Sequence, residues 1–172
     1  SITADEVTEI TGILNGTTNY ILTKMDQEGA SYDEVLKQAQ DLGYAERNPE
    51  ADVEGGDACR KIAILTSIVY GKHLDYTKIH TEGITKISTE DFKYADALGV
   101  SIKLVGTTKK EGDTLYSFVA PMMLDENHPL SGIHDVFNGI FVHGNVVDDI
   151  MFYGRGAGKL PTASAVVSDV VD

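Results

Sequence analysis

The chain has 172 residues, 42% of them hydrophobic, enough for one domain with a sizeable core or for a large piece of a bigger protein. Fourteen Lys and Arg stand against 27 Asp and Glu, a formal net charge of −13, which repels phosphate backbones and anionic membranes and argues against either as a partner. Cys59 is alone, so no intrachain disulfide can form and a cytoplasmic location fits, and no stretch reaches the roughly 18 apolar residues of a membrane span.

The start, SITADEV, has neither an initiating Met nor an apolar signal core, which points to a piece of a longer polypeptide. Thr3 and Glu6 have the spacing of a capping box, and Val7, Ile10, Ile13 and Leu14 recur at helical intervals. The expected first helix continues through Ile21, Leu22 and Met25 and stops near Gly29. Ser31 and Glu34 open a second, with Val35, Leu36, Ala39 and Leu42 as its buried stripe and Gly43 at the left-handed C-cap. Residues 44–55 read as a polar loop. DACRKIAILTSIVY forms a third helix ended by Gly71; it is apolar around most of its circumference and therefore expected to be enclosed on several sides. Ser88 and Asp91 start a fourth, which finishes at Leu98 and Gly99.

The second half changes character. SIKLVGTTKK and TLYSFVAPMML are joined by the polar turn Glu111, Gly112 and Asp113, a hairpin pattern. HPLSGIHDVFNG reads as a loop with a short helix, and GIFVHG and VVDDIMFYG as two strands about Gly144 and Asn145. PTASAVVSDVVD is a closing helix with Pro161 in its first turn. Helices, then strands, then a helix predict an α+β domain over residues 1–172, its mixed or mostly antiparallel sheet covered by helices.

The densest chemical signal is GYAERNPEADVEGGDACRK. It sets Glu46, Asp52 and Asp57 around a loop and helix entrance, with Lys61 one turn after Asp57 on the same helix face. Such a pair is commonly a solvated surface contact worth about 0.2–0.5 kcal/mol. The apolar neighbours Cys59, Ile62, Ala63, Ile64 and Leu65 argue for partial burial instead, where an ammonium needs carboxylates or a ligand beside it. That arrangement suits a small zwitterion whose amino group meets acids while its hydroxyl faces the lysine. A non-catalytic dimerisation or amino-acid-binding domain is the alternative, and it predicts Glu46, Asp52 and Lys61 directed away from any common chamber, or a full gene product without a nucleotide domain.

This segment resembles the signature of the homoserine dehydrogenase family, usually GYAEADP, two variable residues, D-V/L-x-G-x-D and a Lys after three more. GILNGTTNYIL, HPLSGIHDVFNGIFVHG and GRGAGKLPTASAVVSDV resemble further segments of the family in the same order, so the likeness extends over nearly the whole chain. It implies interconversion of L-homoserine and L-aspartate 4-semialdehyde with NADP or NAD, in threonine and methionine synthesis. It also implies a homodimer formed through this part, and a fragment of a larger two-domain enzyme that lacks its Rossmann domain and is inactive alone. Position by position, Lys61 resembles the lysine at the reacting oxygen and Asp57 the acid that places it. Glu46 resembles the carboxylate on the substrate amino group, Asp52 another substrate contact, and Tyr44, Gly16 and Thr17 pocket-lining groups. Arg47 and Asn48 replace the common Ala and Asp, which alters the charge of the loop without altering the ligand spacing.

Asn15, Gly16, Thr17, Thr18 and Asn19 interrupt an apolar helical pattern. They read either as side chains bonding the backbone around a kink or as small groups that let a ligand approach. Gly154, Gly156 and Gly158 form neither a Rossmann fingerprint nor a Walker A loop, since Lys159 falls where the final glycine belongs and Tyr153 where the first does. They are ordinary loop glycines on their own, whereas the resemblance implies cofactor contact at Gly156, Ala157 and Gly158. His80, His128, His134 and His143 lack zinc spacing, and His128 beside Pro129 reads as a turn residue. Met122 and Met123 read as strand packing or rim. No metal is assigned within the chain; the resemblance puts the family's monovalent-cation site largely in a segment before Ser1.

Overall fold

A computed structural model describes residues 6–146, 148–156 and 159–171. In chain order these form β1 (Val7–Ile13), α1 (Gly16–Glu28), α2 (Tyr32–Asp41), α3 (Glu50–Val53), α4 (Gly56–Tyr70), a 3-10 turn at Tyr76–Lys78, β2 (His80–Thr81), α5 (Thr89–Leu98), β3 (Val100–Glu111), β4 (Thr114–Asp125), β5 (Phe137–Gly144), β6 (Asp149–Arg155) and α6 (Lys159–Val171). The sheet runs β2-β4-β3-β1-β5-β6. Every pairing is antiparallel except the short parallel contact of β2 with β4, so the α+β fold with its mixed, mostly antiparallel sheet is as expected.

Local chemistry explains the helices. Ser31 and Glu34 close a capping box on α2, and Ser88 and Asp91 close one on α5. Gly29, Gly71 and Gly99 end α1, α4 and α5 in the left-handed conformation, where a side chain would be strained. Helices α1, α4 and α5 lie against the sheet and α2 packs on α1. Between them sits the main core, which includes Ile10, Ile21, Leu22, Met25, Ile62, Ile102, Leu104 and Val119. A second, smaller core of Ile13, Val105, Leu124, Leu130 and Ile133 lies on the other side of the sheet. It is covered by the connection from β4 to β5, which has to cross β3 and β1. Lys103 is buried in this region at 3% exposure and donates to the Ile133 carbonyl at 2.6 Å.

Several expectations are corrected. Residues 7–13 are a strand, not the start of a helix. Ile10 points into one core and Ile13 into the other, and a strand buried on both faces loses the alternation that would have marked it. Glu6 stands at the head of that strand, where its N–H donates to Asn145 Oδ1 at 3.0 Å; Thr3 lies outside the described residues. Helix α4 is open on one side, with Ile64 58% and Ile68 73% exposed. Within the expected loop 44–55 lies the short helix α3. The segment 128–136 holds turns and no helix; there His128 Nδ1 accepts from the Leu130 N–H at 3.1 Å, the turn role expected of it. Leu42, placed in the buried stripe of α2, is 56% exposed, and β2 had no counterpart in the sequence reading.

Candidate active site

Three chain segments meet beside the end of β1. The strand stops at Ile13, and Asn15 caps α1, its Oδ1 accepting from the Thr18 N–H at 2.9 Å. The interruption at Asn15–Asn19 is therefore a helix start, not a kink. From α3 comes Asp52, and from the first turn of α4 comes Asp57, where the exposed N–H groups of a helix favour a carboxylate. Gly55 joins these two helices at φ 83, and a Cβ there would lie 3.0 Å from Thr81 Cγ2.

The polar side chains form one network. Lys61 Nζ is 2.7 Å from Asp57 Oδ2 and donates to the Leu14 carbonyl at 3.0 Å. Asn15 Nδ2 donates to Asp52 Oδ1 at 2.7 Å and to Asp57 Oδ2 at 2.9 Å. Thr17 Oγ1 donates to the Tyr44 carbonyl at 2.6 Å, which fixes the segment after α2 against α1. The network opens on a cavity of about 470 Å³ lined by Asn15, Gly16, Thr17, Tyr44, Asp52, Asp57 and Lys61, with Leu42 and Gly43 beside them. Val136, Asn138, Arg155 and Gly156 form the opposite wall. Two carboxylates against one ammonium leave the first wall acidic. On the second wall, Arg155 holds its guanidinium 4.7 Å from the Phe137 ring. A zwitterion fits between them, its ammonium toward the acids.

Of the residues singled out in the sequence, Lys61, Asp57, Asp52, Tyr44, Gly16, Thr17 and Gly156 come together at this cavity. Glu46 does not line it. Glu46 is exposed, and its backbone carbonyl accepts from Gln40 Nε2 at 3.1 Å. Ala157 and Gly158 lie outside the described residues. Sequence reasoning missed Asn138 and Arg155 entirely and treated Asn15 only as part of a polar interruption. The signal for Asn15 was present, as an Asn ending an apolar run before a helical pattern; β5 and β6 carry no local mark of theirs. Among the described residues no cluster of His, Cys, Asp and Glu is arranged to hold a metal, and no helix is long and apolar enough to cross a membrane.

Comparison with known proteins places the chain in a family. The family model described as homoserine dehydrogenase matches residues 1–171. The Bacillus subtilis homoserine dehydrogenase is 46% identical over 170 residues, covering 99% of this chain and 39% of the relative. A crystal structure of the Thiobacillus denitrificans homoserine dehydrogenase superposes with a TM-score of 0.96 at 41% identity, over 99% of this chain and 39% of that one. A hyperthermophilic archaeal homoserine dehydrogenase in complex with NADPH superposes at 0.82 with 27% identity, over 99% of this chain and 48% of that one. The chain thus spans about 40% of the length of the curated relatives it matches.

Proposed function

The chain belongs to the homoserine dehydrogenase family, and we propose that it is the substrate-binding and dimerisation part of such an enzyme. Joined to a nucleotide-binding domain, it interconverts L-homoserine and L-aspartate 4-semialdehyde in the cytoplasm, for threonine and methionine synthesis. The observation that carries this reading is that Lys61 faces the same cavity as Asp52 and Asp57.

An ammonium has three hydrogens. Lys61 directs two of them at Asp57 and the Leu14 carbonyl, and the third serves the reacting oxygen. In reduction the lysine gives that proton to the aldehyde oxygen as the carbon is reduced; in the reverse direction it takes the proton from the hydroxyl. Asp57 holds the lysine in place and balances its charge. Asp52 receives the substrate ammonium. Glu46, the other acid that the resemblance assigns to that group, is two residues from Tyr44 and reaches the cavity only with an inward turn of its segment. The first N–H groups of a helix lack intrahelical partners, so Gly16 and Thr17 offer donors to the substrate carboxylate.

The second wall suits a nicotinamide cofactor. Asn138 Oδ1 is buried without a hydrogen-bond partner among the described residues, and a Cβ on Gly156 would stand 2.2 Å from Asn138 Nδ2. An unpaired acceptor beside bare backbone fits a planar carboxamide, with Ala157 and Gly158 next in the chain. NADP or NAD, when bound, supplies the hydride or accepts it. The archaeal relative in complex with NADPH supports the assignment.

A homodimer is supported by the sheet face turned away from the helices, which exposes Tyr116 at 53%, Met151 at 43% and Tyr153 at 57%. The rival, a non-catalytic binding or dimerisation domain, predicts Glu46, Asp52 and Lys61 away from a common pocket or a full gene product without a nucleotide domain; Asp52 and Lys61 line one pocket and Glu46 does not. The test is Lys61→Ala in the longer polypeptide that carries this chain. A loss of about 10²–10⁴-fold in NADPH-dependent turnover is expected, the range of a positioned proton donor, with folding kept by circular dichroism. Near-normal turnover would remove the role of Lys61, and no turnover of L-homoserine by the unaltered longer polypeptide would overturn the reading.

A further inference from the structure

The geometry points to Asn15 as a positioning residue that sets the two cavity carboxylates against Lys61. Its amide is committed on both sides. Nδ2 spends one hydrogen on Asp52 and the other on Asp57, while Oδ1 faces the Thr18 N–H and, at 3.0 Å, the Thr18 hydroxyl. The amide can therefore adopt only one orientation, since turning it over would set its oxygen against two carboxylates and its NH₂ against an N–H donor. Asn15 is itself buried, at 6% exposure, so its bonds to Thr18 are shielded from water and those to the two acids partly so.

Asp52 and Asp57 come from different helices and repel one another. One neutral donor reaching both of them brings two anions to one cavity wall without placing a second cation there. Lys61 then pairs with Asp57 alone, and the Asp52 carboxylate keeps its capacity for a cationic group from outside. The same amide caps α1, so the helix whose first turn borders the substrate is registered to the acids by one side chain. Serine, threonine and aspartate cap helices about as well as asparagine, and none of the three can donate two hydrogens. The cap explains a polar residue at this position; the two carboxylates explain an amide.

Asn15 has this role only on the homoserine dehydrogenase reading, so the test carries Lys61→Ala alongside. In the longer polypeptide, Asn15→Ser keeps an oxygen for the cap and removes both donors. Displacements near 1 Å cost about 100-fold in rate, and on that scale kcat should fall about tenfold and KM for L-homoserine rise about tenfold. KM for the dinucleotide should stay unchanged and the melting temperature should move by less than about 4 °C. Asn15→Asp, nearly isosteric and a good cap, adds a third anion and should lose more than about 100-fold in kcat/KM. The positioning role fails if both variants keep kcat and homoserine KM within about twofold of native. It fails equally if lost activity follows only the unfolded fraction with unchanged kinetic constants. Full activity in Lys61→Ala would sink the proton-transfer reading of this site, whereas an inactive Lys61→Ala beside a normal Asn15→Ser sinks the role of Asn15 alone.

Discussion

The two walls of the cavity are built differently. On one, Asn15, Asp52, Asp57 and Lys61 satisfy each other within the chain and hang from the start of α1, from α3 and from α4. On the other, Asn138 Oδ1 is buried and unpaired, and Arg155 belongs to the edge strand β6 with its charge over an aromatic ring. A buried polar atom without a partner costs free energy, and Asn138 is the one such group among the described residues that also lines the cavity. The first wall is assembled within the chain; on the proposed function, a dinucleotide would supply the partner missing from the second.

The comparison breaks most sharply at the point where the walls touch. A Cβ on Gly16 would lie 2.8 Å from the Val136 carbonyl oxygen, so Gly16→Ala pushes the two walls apart through backbone. Turnover should drop about 10–100-fold with a stability loss on the order of 1–3 kcal/mol, read by kinetics and urea unfolding of the same preparation. Unchanged kinetics would mean that the spacing of the walls is immaterial.

A milder change separates binding from stability. Asn138→Ala removes the unpaired acceptor, so KM for the dinucleotide should rise about tenfold, the equivalent of a lost hydrogen bond of about 1.4 kcal/mol. Stability should hold or improve slightly, because a buried polar group without a partner has gone. A drop in stability with unaltered KM would make Asn138 a purely structural residue.

The smallest effect concerns the support of the second wall. Lys103 ties the connection that carries Val136 to β3, and burial lowers its pKa to about 8 despite the opposing pull of Asp26 and Asp135. In the unfolded chain the same group titrates near 10.4. The ammonium therefore costs the fold most below pH 8, and the cost shrinks as pH rises toward 10. Relative to Lys103→Met, the native chain should gain on the order of 1–3 kcal/mol between pH 7 and pH 10 in unfolding midpoints. A pH-independent difference would mean that Lys103 titrates alike in both states.

What could be read without coordinates follows the range of each interaction. Helices α2 and α5 were legible because Ser31 with Glu34 and Ser88 with Asp91 act within one turn. The hairpin of β3 and β4 was legible because Gly112 sits in its turn at φ 58. Strand β1 was misread because its residues serve two cores at once, although its run of Val, Thr and Ile was a strand composition. The Asp57–Lys61 spacing was visible along a helix. The partnership of Asn15 with Asp52 and Asp57 spans 37 and 42 residues, and no local pattern announces it. Glu46 followed the family's spacing to a place where the side chain faces solvent, since spacing along a loop does not fix direction.

Because the Leu14 carbonyl that receives Lys61 follows directly on β1, between β3 and β5 in the middle of the sheet, this half of the cavity has no independent hinge. The carbonyl shifts only when neighbouring strands part, so the local stability at Leu14 approaches that of the whole fold. Rearrangement on ligand binding is therefore expected at the rim, at the chain after Tyr44 and the outer strand, with the Leu14 anchor of Lys61 holding its place.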